Sequence, residues 1–278
     1  MGELMRQIPF GQLMDWILSE YESHGTIFGI RKEDFYRSTN GTYIEMFGEK
    51  LSAPIGPAAG PNSQLCQNIV SAYLTGSRFI ELKTVQKMDG EALRKCVPRP
   101  CINAQDEGYN VEWSTELTVP GAFDEYVKAW VALHVVAREL GISNERDFIF
   151  NMSVGYDLEG IRSMKIDCFI EGLKNAALSH SFINAINWLH ANGDRFKNID
   201  RDFVDSISPH VCTSITLSTL HGCPPTEIER IAKYLMDVKK LHTYIKCNPT
   251  MLGYEYTRST LDRMGYGYLA FDDHHFKH

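Results

Sequence analysis

The chain has 278 residues, 44% of them hydrophobic and 23% charged, and a formal net charge of −7. This length suits one large domain, such as an α/β barrel, or two small ones. The negative charge argues against nucleic acid and anionic membranes as partners, because both bind clustered Lys and Arg. The first ten residues lack the apolar core of a signal peptide, and no run reaches the roughly 18 apolar residues of a membrane span. Seven cysteines without a CxxC pair predict reduced thiols and a cytoplasmic location.

Predicted strands and helices alternate along the chain. In order, the patterns predict a helix over 4–25, a hairpin over 43–51, strands over 53–60, 79–85 and 148–153 with helices after the first two, and strands over 214–218, 244–248 and 268–271. The helix before the third strand covers about 122–140 and shows a clear apolar stripe. Residues 158–206 are longer than one crossover needs and are predicted to form a helical insertion.

Strands this apolar, alternating with helices, predict a parallel sheet covered by helices. Six such units fit either an open doubly wound sheet or an incomplete barrel, and periodicity does not choose between them. The sequence contains neither GxGxxG nor GxxxxGK[ST]. A dinucleotide or nucleoside-triphosphate fold would therefore lack its phosphate-binding loop.

Polar or very small residues lie at or just beyond the carboxyl ends of the predicted strands, where core residues are expected. They are Ala59 and Gly60, Lys83 and Thr84, Asn151 and Ser153, Thr219 and His221, Lys246 and Asn248, and Asp272 and Asp273. The carboxyl ends of parallel strands form the ligand-binding edge of α/β folds. Two lysines on buried strands need negative partners, which either a structural ion-pair network or a ligand such as a flavin supplies.

Two further clusters each admit two interpretations. Cys223 precedes a predicted helix, whose N-terminus would lower the thiol pKa and make it reactive; a buried, inert cysteine is the alternative. Residues 272–275 carry two carboxylates and two imidazoles that could bind a metal. Adjacent strand residues point to opposite faces, so at most two of the four easily share one ion. A polar exit from the strand explains them as well, and no metal site is predicted.

Six short motifs occur in order, most of them at predicted strand ends: GPAAG (56–60), ELKTV (81–85), YNVEWS (109–114), NMSVGYD (151–157), LSTLHGCPP (217–225) and YIKCNP (244–249). Together they resemble the flavin domain of dihydroorotate and dihydropyrimidine dehydrogenases. The resemblance is strongest to the N-terminal part of large bacterial flavoproteins described as selenate reductase subunits, and it covers nearly the whole chain. It implies a (β/α)8 TIM barrel over residues 1–278 with FMN across its mouth.

The resemblance also implies roles for individual residues. The matched cofactor-binding positions are Ala59, Gly60, Lys83, Thr84, Asn151 and Lys246, and the matched substrate-binding positions are Asn110, Glu112, Thr216, Asp272 and Asp273. Thr219 stands where the family has a cysteine or serine that moves a proton, and Cys223 lies four residues further on. A threonine hydroxyl is a poor acid unless a relay activates it. Thr216 and the two aspartates replace family amides and a threonine, which suggests a different substrate.

The barrel is expected to be incomplete after its sixth strand, so that FMN binds weakly or not at all. The expected function is FMN-dependent two-electron transfer to a small unsaturated heterocycle of pyrimidine or purine type. FAD, NAD(P)H and iron–sulfur clusters would belong to a separate reductase module or subunit, and homo-oligomers are allowed. One alternative is a metal-dependent hydrolase or lyase using Asp272, Asp273, His274 and His221. The other is a non-catalytic assembly or electron-transfer subunit.

Overall fold

A four-stranded sheet organises the computed structural model, which describes residues 5–38, 43–96, 117–219, 223–247 and 249–276. The strands are β1 (Thr26–Ile27), β2 (Ile30–Arg31), β3 (Ile44–Met46), β4 (Glu49–Leu51), β5 (Phe79–Glu81), β6 (Ile149–Val154), β7 (Cys212–Leu217) and β8 (His242–Ile245). The helices are α1 (Phe10–His24), α2 (Cys66–Leu74), α3 (Gly90–Cys96), α4 (Val119–Glu139), α5 (Leu158–Ile161), α6 (Met164–Lys174), α7 (His180–Ala191), α8 (Arg201–Ser206), α9 (Ile228–Lys233) and α10 (Tyr254–Arg263).

The sheet has the order β5-β6-β7-β8, and both β5–β6 and β6–β7 pair in parallel. These are the second to fifth predicted strands, within a few residues of their expected bounds. Every residue of β6 is buried, as expected for a strand covered on both faces. The α/β class with a parallel sheet is therefore confirmed.

Helix α4 contacts α2, α6 and α7, and its Trp130 ring packs against Phe148 and Phe150 of the sheet region. It begins where Thr118 accepts a hydrogen bond from the Gly121 amide at 3.2 Å, with Pro120 in the first turn. Tyr126, Trp130 and most of its other apolar side chains are buried. Burying side chains of this size contributes roughly 1.5–3 kcal/mol each.

The first predicted strand, 53–60, is not a regular strand. Its extended chain runs beside β5 and accepts hydrogen bonds on the Ile55 oxygen from Phe79 N (3.1 Å) and on the Pro57 oxygen from Glu81 N (3.2 Å). Pro57 has no N–H to donate back, so only half of a parallel ladder forms. The position of the segment was predicted correctly and its pairing was not.

The sixth predicted strand, 268–271, is wrong. These residues form no strand in the structure, and Tyr268 and Leu269 are 77% and 40% exposed. They belong to the second of two compact units, 1–244 and 245–278. Within the second unit, Tyr254, Phe271 and Phe276 form an aromatic cluster with ring centroids 5.6–6.1 Å apart. A run of four apolar residues without a neighbouring strand does not create a strand.

Residues 158–206 are largely helical and contain α5 to α8. Helix α7 packs against α1, α4 and α8. Whether the segment is an insertion within a barrel domain stays a prediction. No helix among the described residues is both long enough and apolar enough to cross a membrane.

The predicted hairpin is formed by β3 and β4 and carries an aromatic tip. Phe47 stacks on His242 with ring centroids 4.1 Å apart, and the Tyr244 hydroxyl lies 2.8 Å from the Met46 sulfur. Tyr244 also contacts Phe79 at the start of β5. The hairpin thus packs at the amino ends of the strands, opposite the edge where ligands are expected.

A bulge follows β5. Glu81 pairs with Asn151 and Val85 with Val154, so the segment 81–85 contains one residue more than the segment 151–154 beside which it runs. Counting by twos from Glu81 places Lys83 on the same face of the sheet as Asn151. Counting back from Val85 places Thr84 on that face as well.

His134 on α4 is a partly buried histidine. Its Nδ1 donates to the Trp130 oxygen at 2.8 Å, and its ring contacts the rings of Trp130 and Phe148. Burial lowers its pKa from 6.5 to about 4, and the charge of Arg146 acts in the same direction. The His134 ring therefore binds a proton more weakly in the folded protein than in the unfolded chain.

Lowering the pH from about 6.5 to about 4 is expected to reduce the free energy of unfolding through His134. The contribution is fully present above the unfolded-state pKa and is lost toward the folded-state pKa, a change of roughly 2–3 kcal/mol. Denaturant titrations of the wild type and His134→Phe across this range measure it. The stability difference between the two proteins should shift with pH, and parallel curves would contradict a neutral His134.

Candidate functional site

One face of the parallel sheet carries polar side chains instead of the branched apolar residues usual inside such a fold. The register aligns Glu81 with Asn151, Asn151 with Ser214, and Ser153 with Thr216, so these five residues share a face. Each is at most 8% exposed. Buried polar groups cost free energy unless they are hydrogen bonded. This set, with Lys83 and Thr84, is called the polar face below.

The turn at 57–63 is hydrogen bonded to one edge of the polar face. Glu81 Oε2 accepts from the Ala59 amide at 2.8 Å, and the Lys83 amide donates to the Ser63 oxygen at 3.3 Å. The Ser63 hydroxyl lies 3.2 Å from both the amide nitrogen and the carbonyl oxygen of Gly60. The small residues 58–60 are therefore fixed beside Lys83.

Lys83 and Thr84 lie inside the molecule, at 0% and 1% exposure, rather than on the open rim that strand-end positions suggested. Lys83 Nζ donates to the Thr84 oxygen at 3.4 Å, and the Lys83 oxygen accepts from the Tyr126 hydroxyl at 2.9 Å. The Thr84 and Ser153 hydroxyls are 2.7 Å apart. A buried ammonium group at a strand end is costly in an apolar protein and useful beside a bound anion.

The Asn151 carboxamide lies between two hydroxyls of β7. The Ser214 hydroxyl donates to Asn151 Oδ1 at 2.7 Å, and Asn151 Nδ2 donates to the Thr216 hydroxyl at 2.7 Å. Asn151 is fully buried. The predicted residues Ala59, Gly60, Lys83, Thr84, Asn151 and Thr216 therefore lie on or beside one face of the sheet.

The two predicted proton-transfer residues differ in exposure. Thr219 is partly exposed, two residues beyond β7, while Cys223 is buried. Burial and the nearby Glu227 carboxylate raise the pKa of the Cys223 thiol, opposite to the effect expected of a helix N-terminus. Helix α9 begins only at Ile228, so Cys223 does not lie at its first turn. The inert interpretation of Cys223 fits the structure better.

The remaining predicted residues lie in the second compact unit or outside the described residues. Lys246, Asp272 and Asp273 belong to the second compact unit, where Asp272 Oδ1 accepts from the His274 amide at 3.0 Å. Asn110, Glu112 and His221 lie outside the described residues. In the described parts of the chain, no three His, Cys, Asp or Glu side chains are grouped so that they could hold a metal ion.

Sequence reasoning did not place Ser214 or Glu81 at the site. The signal for Ser214 was present, because Ser214, Thr216 and Ser218 occupy alternate positions in an otherwise apolar strand. Such alternation marks one face of the sheet. The contact between Glu81 and the Ala59 amide joins residues 22 positions apart, and no local pattern predicts it.

A second buried polar cluster lies at the amino ends of the same strands. Arg78, just before β5, pairs with Asp147, just before β6, at 2.8 Å. Asp147 also accepts from the Ser52 hydroxyl at 2.6 Å and the Tyr73 hydroxyl at 2.9 Å. Burial and the Asp147 carboxylate raise the pKa of Tyr73. Because parallel α/β proteins bind ligands at the opposite edge, this cluster is structural.

Comparison with known proteins gives a consistent result. The family model described as "Oxidoreductase YgfK, N-terminal TIM-barrel domain" matches residues 28–278. Two curated relatives, both named "Putative oxidoreductase YgfK", come from Escherichia coli K12 and Escherichia coli O157:H7. Each is 44% identical over 290 aligned residues that cover 100% of this chain. The chain spans only 28% of the length of these relatives. No solved structure matches it.

Proposed function

The chain belongs to the family of the N-terminal TIM-barrel domain of the oxidoreductase YgfK, and we propose that it is the FMN-binding domain of that oxidoreductase. In this proposal the enzyme moves two electrons between FMN and a small unsaturated heterocycle of pyrimidine or purine type, as dihydroorotate and dihydropyrimidine dehydrogenases do. The observation that carries the proposal is the polar face, a set of buried ammonium, carboxylate, hydroxyl and amide groups on one side of the parallel sheet.

The residues present fit a flat, polar ring. Ala58 is exposed and Ala59 is partly exposed, so side chains no larger than methyl groups leave room for a planar ligand beside the turn. Lys83, Thr84 and Asn151 would offer a cation, a hydroxyl and an amide to its polar edge. Bound FMN would supply reversible two-electron chemistry. The buried Lys83 ammonium would stabilise negative charge on the ligand, where the low dielectric strengthens the interaction.

Proton transfer is assigned to Thr219 in this proposal, because it is the partly exposed member of the predicted pair. Its hydroxyl needs a relay to act efficiently. The electron donor would be NAD(P)H, acting through FAD and iron–sulfur clusters in other parts of a larger protein or in a partner subunit. The length of the YgfK relatives supports such a context. A cytoplasmic location is also proposed, in keeping with the free thiols of Cys66, Cys168, Cys212, Cys223 and Cys247.

Titration with FMN and with riboflavin tests the proposal on the purified chain. Riboflavin lacks the phosphate, so it reports recognition of the ring alone. We expect quenching of flavin fluorescence on binding, and a loss of about 10- to 100-fold in affinity for Lys83→Met, because a charge-assisted hydrogen bond contributes about 1.5–3 kcal/mol. Lys239→Met is the matched control, since Lys239 is also buried and its salt bridges to Asp167 and Glu171 lie on α6, outside the polar face.

The control variant should bind flavin as the wild type does. A wild-type chain that takes up neither FMN nor riboflavin would refute flavin binding by this domain and favour a non-catalytic subunit. Equal losses in the two lysine variants would mean that Lys83 acts only through stability.

A further inference from the structure

The hydroxyl groups on either side of Asn151 have an unusual property for a buried amide. Ser214 and Thr216 each contact one end of the carboxamide at 2.7 Å, and all three residues are at most 6% exposed. A hydroxyl can both donate and accept a hydrogen bond. If the amide turned by 180°, each hydroxyl could rotate and satisfy the opposite end.

Buried amides are commonly locked by partners that only donate or only accept. A backbone N–H or an ammonium group can hydrogen bond only to the amide oxygen, and a carboxylate only to the amide N–H groups. The hydrogen-bond partners of the Asn151 amide are instead the two hydroxyl groups of Ser214 and Thr216. The amide is therefore held firmly in position while both of its orientations remain bonded.

We infer that Ser214 and Thr216 are positioning residues that hold Asn151 so that it can present either its N–H or its oxygen to a bound ring. The inference rests on the proposed flavin function and names what the site recognises. A redox-active ring nitrogen accepts a hydrogen bond in the oxidised state and donates one after it takes up two electrons and a proton. An amide that can turn over would donate its N–H to the oxidised ring and accept from the reduced ring with its oxygen.

An amide that bonds oxidised and reduced flavin equally well has a measurable consequence for the midpoint potential. The midpoint potential of a bound flavin depends on the ratio of its dissociation constants in the oxidised and reduced states. For a two-electron couple, a tenfold change in that ratio moves the potential by about 30 mV. Loss of a clamp that serves both states should weaken binding of both and leave the potential unchanged.

The test uses Ser214→Ala and Thr216→Val on the whole chain, with riboflavin and FMN as probes. Each variant removes one hydrogen bond to a buried amide, so the Kd for oxidised flavin should rise about 3- to 10-fold. The midpoint potential should stay within about 15 mV of the wild-type value, equivalent to a threefold change in the ratio. Thr216→Ser keeps the hydroxyl and should restore wild-type binding.

Thr213→Val is the matched control, because it makes the same change on the same strand at an exposed position bonded to Glu49. A shift of 30 mV or more in either clamp variant would show an amide fixed in one orientation and overturn the inference. Unchanged affinity, or an equal loss in Thr213→Val, would also overturn it. If the wild-type chain binds no flavin, the proposed function fails first and the inference falls with it.

Discussion

Replacing Asp147 by asparagine is expected to lower the free energy of unfolding by about 3–5 kcal/mol, because it leaves the buried Arg78 guanidinium without a counterion. Asp147 and Arg78 are 3% and 0% exposed in their side chains. Arg78 also lies over the Tyr73 ring, 3.9 Å from its centroid, so it has no route to water without disrupting the packing. Urea denaturation of the variant and the wild type at one pH measures the loss.

Asp34→Asn is the matched control. Asp34 pairs with Arg31 at the same 2.8 Å, but their side chains are 51% and 69% exposed. An exposed pair of this kind contributes at most about 1 kcal/mol. The double variant Arg78→Met with Asp147→Leu should be more stable than Asp147→Asn, because it removes both charges. Equal losses for Asp147→Asn and Asp34→Asn would show that burial does not govern the effect.

Gly56→Ala is expected to destabilise the protein by about 3 kcal/mol or more and to weaken flavin binding with it. A Cβ at Gly56 would lie 1.5 Å from the Phe79 carbonyl oxygen and 2.5 Å from its carbon. Both are backbone atoms of β5 and cannot rotate away. The first extended segment would have to move off β5, which would break the hydrogen bonds to Ile55 and Pro57.

Gly193→Ala provides the comparison, since a Cβ there meets nothing within 4 Å. Thermal unfolding of both variants and riboflavin titration of the folded fraction give the two readouts. Wild-type stability in Gly56→Ala would contradict the close approach of the first segment to β5.

Most of the sheet could be predicted from the sequence because its strands are short apolar runs between helices with clear periodicity. Strands β5 to β8 fell near their expected positions for this reason. The two errors share a cause, which is that a strand requires a partner able to bond it. Pro57 cannot donate to β5, and residues 268–271 pair with no strand among the described residues, although both segments have strand-like composition.

The candidate site was predicted in its residue types more than in its geometry. Lys83, Thr84 and Asn151 stood out because buried strands rarely end in such residues, and the structure groups them with Thr216. Their burial beneath neighbouring groups was not predictable, since it depends on Tyr126 and the 57–63 turn. The upward shift of the Cys223 pKa likewise depends on burial, which the sequence around this residue does not show.

The bulge after β5 acts as a shift in phase. A strand alternates its side chains with a period of two residues, and one inserted residue moves that alternation by half a period. Odd-numbered positions face the polar side up to Lys83, and even-numbered positions face it from Thr84. The neighbouring residues Lys83 and Thr84 therefore both lie on the polar face, whereas a regular strand would place only one of them there. In a relative with one residue more or fewer at this bulge, the same sequence beyond it would point its side chains to the opposite face of the sheet.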